Sequence, residues 1–335
     1  MLGIHHTTLL LPSSFARDAV KKIQKSKSRI ALVTTTFHVD DDLSTALVDA
    51  LTHAAKRGVV VSVCVDTYTY TEPKEFFLRS PKKQPARAYR AIQLERQLKK
   101  SGVNFHWLGR TSNVVIAGRT HSKWLIVDDT TYSFGGVNID KESFHNNDYM
   151  LRLQNADFAD MLFSQHLRLL KADKAGHATK SHSITIDKNS TALIDGGLIG
   201  DSIIYRRACK LAKQASHITL VSQYCPTGKL NRILKRKNAT LYFNHWRKAA
   251  WMNRLLIQFG MIFSKQHTNY HRKNYLHAKF IIFTMEDGTK VAISGSHNFM
   301  YGSVLFGTRE VAIETRDSAI ISQLETFFNK KVADS

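Results

Sequence analysis

From Ser202 to Met285 the chain has no Asp or Glu, yet the stretch carries sixteen Lys or Arg. Acid is scarce throughout: 48 Lys and Arg stand against 27 Asp and Glu, a net charge of +21. A bland solvated face mixes signs, so this surplus implies polyanionic company, either nucleic acid or an anionic membrane surface. Cysteine is scarce as well. Cys64, Cys209 and Cys225 are far apart and make no ligand spacing. Three isolated thiols fit a reducing, cytosolic compartment. No window reaches ~18 uninterrupted apolar residues, so no spanning helix is predicted and any membrane contact is peripheral. The N-terminus lacks the basic, apolar, small-residue order of a secretory leader; "TTLLLP" is too short. The apolar share of 43% is ordinary, which sets disorder aside. A chain of 335 residues can hold one large core or two packed halves.

The order of elements favours two halves. "RIALVTTTF" reads as a strand, "DDDLSTALVDALTHAAKRG" as a helix stopped by Gly58, and "VVVSVCVD" as a buried strand ending at Asp66. The basic segment 71–87 is predicted to run over the site. Ala88–Ser101 is predicted helical, before the strand "VNFHWLG". Residues 174–190, "KAGHATKSHSITIDKNS", are polar and non-periodic and are expected to be a linker. Beyond it, "IGDSIIYRRACKLAKQA", "SHITLVSQYCP", "TGKLNRILKRKN" and "ATLYFN" read helix, strand, short helix, strand. This divides the chain into residues 1–173, the linker, and residues 191–335. The expected fold is α/β: two pseudo-twofold-related halves, each with a mixed, mostly parallel sheet flanked by helices.

Each half ends in a hairpin of unusual content. "RTHSKWLIVDDTTYSFGGVN" spans Arg119 to Asn138, and "LHAKFIIFTMEDGTKVAISGSHN" spans Leu276 to Asn298. Both contain His-x-Lys, an apolar strand, a turn, a returning strand and then Gly-Gly/Ser-x-Asn. The midpoint between His121 and Asn138 falls on "DDTT". The midpoint between His277 and Asn298 falls between Asp287 and Gly288, a strong turn dipeptide. Each turn is therefore expected to bring His and Asn together at the open end. His and Lys, two apart, project to one side. A third His-x-Lys, His271 to Lys273, lacks the following strand and the asparagine and reads as a basic surface cluster.

The pattern His-x-Lys-x4-Asp-x6-Gly-Gly-x-Asn, carried by His121, Lys123, Asp128, Gly135, Gly136 and Asn138, resembles the signature of the phospholipase D superfamily. "HAKFIIF…GSHN", with His277, Lys279, Ser296 and Asn298, resembles its second copy. The first copy and "SQYCPTGKL" look most like the cardiolipin synthase and phosphatidyltransferase branch. The resemblance implies one site shared by both halves, with Gly136 and Ser296 at the phosphate. It implies an acid shortly after each asparagine, beside a histidine; Asp148 and Glu310 fit. Asp128 is implied to be a support, and its counterpart in the second copy is Thr284, a departure from the pattern.

These residue types suit phosphodiester chemistry. Two Lys and two Asn can donate to the non-bridging oxygens. A neutral histidine can attack phosphorus and form a phosphohistidine. The other, protonated, can serve the leaving alkoxide and then activate an alcohol or water. Asp148 and Glu310 would orient the rings. No metal or cofactor is called for. The hairpins leave the diester open. A phosphatidyltransferase of the cardiolipin synthase type, acting on phosphatidylglycerol, competes with a phospholipase D-type hydrolase or a metal-independent nuclease, for which nucleic acid is the partner. Residues 245–263 favour lipid. As a helix they place Arg247, Lys248 and Arg254 beside Trp246, Trp251 and Phe259, which suits a membrane interface. The expected location is cytoplasmic, peripheral on the inner face of the membrane.

Overall fold

A computed structural model describes residues 6–70, 86–109, 118–248, 254, 257–258, 261–262 and 264–333. Seven strands make a first sheet: β1 (His6–Leu10), β2 (Arg29–Thr34), β3 (Val60–Asp66), β4 (Asn104–Leu108), β5 (Trp124–Val127), β6 (Thr130–Ser133) and β7 (Met150–Gln154). Seven more make a second: β8 (His182–Thr185), β9 (Ser190–Gly196), β10 (Ala215–Val221), β11 (Thr240–Tyr242), β12 (Phe280–Met285), β13 (Lys290–Gly295) and β14 (Arg309–Thr315). The helices that matter for the site are α1 (Pro12–Lys25), α2 (Asp42–Lys56), α3 (Ala86–Lys100), α4 (Lys141–His145), α5 (Ala156–Lys174), α6 (Ile203–Gln214) and α7 (Gly228–Arg236).

The two sheets repeat one topology. The first runs β4-β3-β2-β5-β6-β7-β1 and the second β11-β10-β12-β13-β14-β9-β8. Six strands correspond in order and in direction, so β3-β2-β5-β6-β7-β1 matches β11-β10-β12-β13-β14-β9. The helices between them correspond too, α1 with α6 and α2 with α7. Both sheets are mixed and flanked by helices, as expected, but they are not mostly parallel. Among the described strands, parallel pairing is confined to β2/β3, β3/β4 and β10/β11. Each hairpin enters beside its parallel pair and must run antiparallel to it, and the strands beyond the hairpin continue that alternation. The expected linker holds β8, which pairs with β9 at the edge of the second sheet.

Strand alternation builds the core. In β2 and β5, Ile30, Leu32, Leu125 and Val127 face the outer helices, whereas Ala31, Val33, Trp124 and Ile126 face inward. Phe280, Ile282 and Ala292 face the same inner cluster from the second sheet, while Ile281, Phe283 and Ile293 meet α6 and α7. One apolar core therefore runs between the two sheets. It also holds Leu162 of α5 and Phe327 of the C-terminal helix Ser318–Phe327.

The hairpin registers differ from expectation. Val127 pairs with Thr130, so the first turn lies on Asp128 and Asp129, one residue early. In the second, Met285 N–H reaches Thr289 O, so Glu286, Asp287 and Gly288 form the turn, with Gly288 left-handed at φ +78°. Asp128 explains the first turn. It takes φ +52°, and its carboxylate accepts from the backbone N–H of Lys27, Ser28 and Arg29 and from Ser28 Oγ. Burial alone would raise its pKa, but these donors bring it below the usual carboxylate value. Asp128 thus stands at the far end of β5 from Lys123, pinning the turn to the start of β2. Asp128→Ala should leave those N–H groups without their acceptor and lower stability by about 1–3 kcal/mol. A denaturant melt with unchanged slope checks it.

Candidate active site

Each histidine is held by the other half of the molecule. His277 Nδ1 lies 2.7 Å from Asp148 Oδ2, and His121 Nδ1 lies 3.4 Å from Glu310 Oε1. Asp148 precedes β7 of the first sheet, and Glu310 is on β14 of the second. The backbone crosses in the same way. Arg309 O accepts from the N–H of His121 and Ser122, and Asn147 O accepts from the N–H of His277 and Ala278. The residue before each acid therefore seats the His-x-Lys segment of the opposite sheet.

The residues before each histidine are also pinned alike. Asp66, at the end of β3, accepts Thr120 N–H at 2.7 Å and Arg119 Nη1 at 3.0 Å. Asn244, just past β11, accepts Leu276 N–H at 2.9 Å and donates to Leu276 O at 2.7 Å. Arg309 is fixed in turn by Asp173, which accepts its Nη1 at 2.6 Å and also takes His106 Nε2 and Gly109 N–H.

The two acids are supported differently. Asp148 Oδ1 accepts from Gly136 N–H and Tyr149 N–H, whereas Glu310 Oε2 accepts from Ser296 Oγ. Gly136 and Ser296 occupy matching places, and the glycine is required by space. A Cβ there would sit 2.5 Å from Asp148 Oδ2 and 2.9 Å from His277 Nδ1.

Burial sets the electrostatics. It is the main force lowering the Lys279 ammonium to about 7 and Lys123 to about 8, with Asp148 and Glu310 opposing it at both. Lys123 Nζ donates to Thr35 Oγ1 and His121 O, each at 2.8 Å, and Lys279 Nζ donates to His277 O. Burial, then the Lys279 charge, lower the His277 ring to about 4. Burial alone would raise both acids. His277 and Lys279 hold Asp148 below its usual range, and His121, His297 and Ser296 bring Glu310 to about 2. An ionised carboxylate only accepts, so Asp148 fixes the proton of neutral His277 on Nδ1 and leaves Nε2 with a lone pair.

The structure thus gathers His121, His277, Lys123, Lys279, Asp148, Glu310, Gly136 and Ser296 at one interface. Asn138 Oδ1 is 3.5 Å from Thr34 Oγ1 after the first hairpin, and Asn298 is buried after the second. Asp128 stands apart. Sequence reasoning passed over His297, whose Nδ1 accepts Phe299 N–H while its buried Nε2 has no hydrogen-bond partner. It also passed over Thr35, Asn244 and Arg309. For His297 the signal was present, inside "GSHN". Among the described residues no group of three His, Cys, Asp or Glu could hold a metal ion.

Trp246 is half-buried in a 3-10 turn, Trp246–Lys248, with Arg247 and Arg254 over its ring at 5.2 and 5.9 Å. Both arginines are exposed. Trp251, Phe259 and residues 71–85 of the expected excursion over 71–87 lie outside the described residues, as does the side chain of Lys248, whereas residues 86 and 87 begin α3.

Residues 19–168 match the family described as "Cardiolipin synthase, PLD-like domain". That match spans 150 of the 335 residues, so the first half of the chain is similar to a phospholipase D-like domain. Solved structures that resemble the chain are distant in sequence. Phosphatidylserine synthase of Haemophilus influenzae Rd KW20 has a TM-score of 0.69 at 14% identity, over 96% of this chain and 85% of that one. Polyphosphate kinase from Porphyromonas gingivalis has a TM-score of 0.59 at 12% identity, over 96% of this chain and 49% of that one. Nuc from Salmonella typhimurium, a phospholipase D family member, has a TM-score of 0.37 at 19% identity, over 49% of this chain and 92% of that one. No curated protein sequence matches the chain.

The close approach at Gly136 gives a sharp test of the crossed site. Gly136→Ala should lower kcat/KM for any phosphodiester turned over by roughly 10²-fold, because the Asp148–His277 pair must shift. Steady-state kinetics on the folded variant reads it.

Proposed function

We propose that the protein is a phosphatidyltransferase of the cardiolipin synthase type, joining two phosphatidylglycerol molecules through a phosphohistidine. The observation that carries the chemistry is the crossed arrangement of two His-acid pairs around two buried lysines. One imidazole Nε2 attacks phosphorus in line while the opposite histidine gives its proton to the leaving alkoxide. The same histidine then takes the proton of the incoming alcohol, whose oxygen displaces the histidine. Lys123, Lys279, Asn138 and Asn298 stabilise the non-bridging oxygens as charge grows on them. Asp148 and Glu310 orient the rings and offset the imidazolium.

The lipid substrate is supported by the family matched over residues 19–168 and by the first copy's Gly-Gly-x-Asn. No helix of the described residues is long and apolar enough to cross a membrane. We place the protein on the cytoplasmic face of the membrane, where exposed Arg247 and Arg254, with Lys248, would meet anionic lipid and Trp246, Trp251 and Phe259 the interface. The acid-free stretch equally suits a nucleic-acid backbone, which keeps the nuclease as the second reading.

Mass spectrometry of phosphatidylglycerol vesicles incubated with pure protein separates these readings, with plasmid nicking in parallel. Cardiolipin with release of glycerol is the expected result. Phosphatidic acid alone would make the protein a hydrolase, and nicking without lipid turnover would make it a nuclease.

The alkaline limb of the pH profile follows from the lysines. Their pKa values lie below the ordinary 10.5, so each loses its charge as pH rises through about 7 for Lys279 and about 8 for Lys123. The kcat/KM for a soluble phosphodiester, which reports the free enzyme, should therefore fall above that range. A flat profile to pH ~10, the ordinary lysine range, would mean that the lysine charges are not needed.

A further inference from the structure

The acid-free stretch is used only in part by the chemistry above. Five of its cations line one cavity of about 630 Å³ between α6 and α7: Arg206, Lys210, Lys213, Lys229 and Arg232. Helical spacing puts the first three on one stripe of α6 and the other two on one stripe of α7. All five are exposed and the lining includes no acid. Arg206 is ion-paired with Asp201, and the other four have no carboxylate partner among the described residues.

The internal duplication supplies a control. The matching helices of the first sheet, α1 and α2, mix their cations with Asp18, Asp42 and Asp49. On α6 and α7 every charged residue is basic. Like charges crowded around a cavity repel one another unless an anion lies between them.

The groove also touches the catalytic loop. Tyr205, on its floor, has its ring 6.2 Å from His297 and 5.7 Å from Tyr301, which lie on either side of Asn298. Tyr205 OH donates to Thr227 O and accepts Leu230 N–H, holding α7 against α6. Gly228 is left-handed at φ +70°, and a Cβ there would sit 2.6 Å from Tyr301 Cβ, so the wall is closed without one. Ser222, just past β10, donates to Asn298 O. The N-termini of α6 and α7 therefore lie at the end of the second sheet that carries the site, and the groove runs outward from there.

We propose that this groove binds a phosphate-bearing anion distinct from the diester at the histidines. Two sources share that chemistry, an anionic lipid headgroup and a free phosphorylated solute. Guanidinium and ammonium groups from two rigid helices converge on its oxygens, with Tyr301 at the rim.

Equilibrium dialysis of the full chain against labelled inorganic phosphate tests it, beside flotation on phosphatidylcholine vesicles doped with phosphatidic acid. Two substitution pairs are compared, Lys210→Gln/Lys229→Gln and Arg206→Gln/Arg232→Gln. Their positions are exposed, and a melting curve confirms folding. The wild type is expected to bind phosphate in two classes, and each pair should weaken one class about tenfold or more while sparing the other. A parallel loss of flotation assigns the groove to a lipid headgroup; retained flotation assigns it to a free solute. If the histidine site does not take phosphate, the wild type shows one class only, and the pairs remove it. An isotherm unchanged in both pairs overturns the proposal.

Discussion

The exchange of acids between the halves is the constraint on which the rest depends. Asp148 is useful only beside His277, and Glu310 only beside His121. Neither half alone holds an oriented histidine. On the proposed mechanism, the apolar core shared between the sheets is therefore a catalytic requirement as well as a source of stability. It sets β7 and β14 against the opposite His-x-Lys segments to within hydrogen-bond distance. Cross-sheet bonds add precision, since Tyr149 OH meets Ser294 Oγ, and Ser294 Oγ donates to Phe134 O.

Burying four ionisable groups, Lys123, Lys279, Asp148 and Glu310, beside two partly exposed histidines opposes folding unless each is paired. The solution is visible residue by residue. Lys123 and Lys279 are tied to the carbonyls of their own histidines, Asp148 accepts from Gly136 and Tyr149, and Glu310 accepts from Ser296. Some of the strain is left in place. Both lysines sit with pKa values far below an exposed lysine, and Asn298 Oδ1 and His297 Nε2 are buried without hydrogen-bond partners. On the proposed mechanism, an anionic substrate would restore charge to those lysines and make the free energy withheld on folding available on binding.

The sequence revealed the duplication and its paired motifs because both are local. His-x-Lys followed by an apolar strand, a turn and a Gly/Ser-x-Asn can be read along the chain, whereas Asp148 and Glu310 are implied by the resemblance, which places an acid shortly after each asparagine. Which acid serves which histidine was not legible, because it depends on how two sheets face each other. Strand direction was misread for a related reason: apolar strands beside helices suggest parallel pairing, but hairpin entry imposes the antiparallel one. The register slipped by a residue because Asp128 adopts a left-handed backbone whose stabilising donors, Lys27 to Arg29, are remote in sequence. The five-cation groove was visible only as a missing charge; that α6 and α7 face each other is a tertiary fact.

The crossed pairing is most directly tested by nitrogen NMR of the ring resonances of His121 and His277 in protein labelled at histidine. Glu310→Gln should move the His121 nitrogens and leave those of His277 in place, while Asp148→Asn should do the reverse. If Asp148→Asn moves His121 instead, each half holds its own histidine and the shared site described here is wrong.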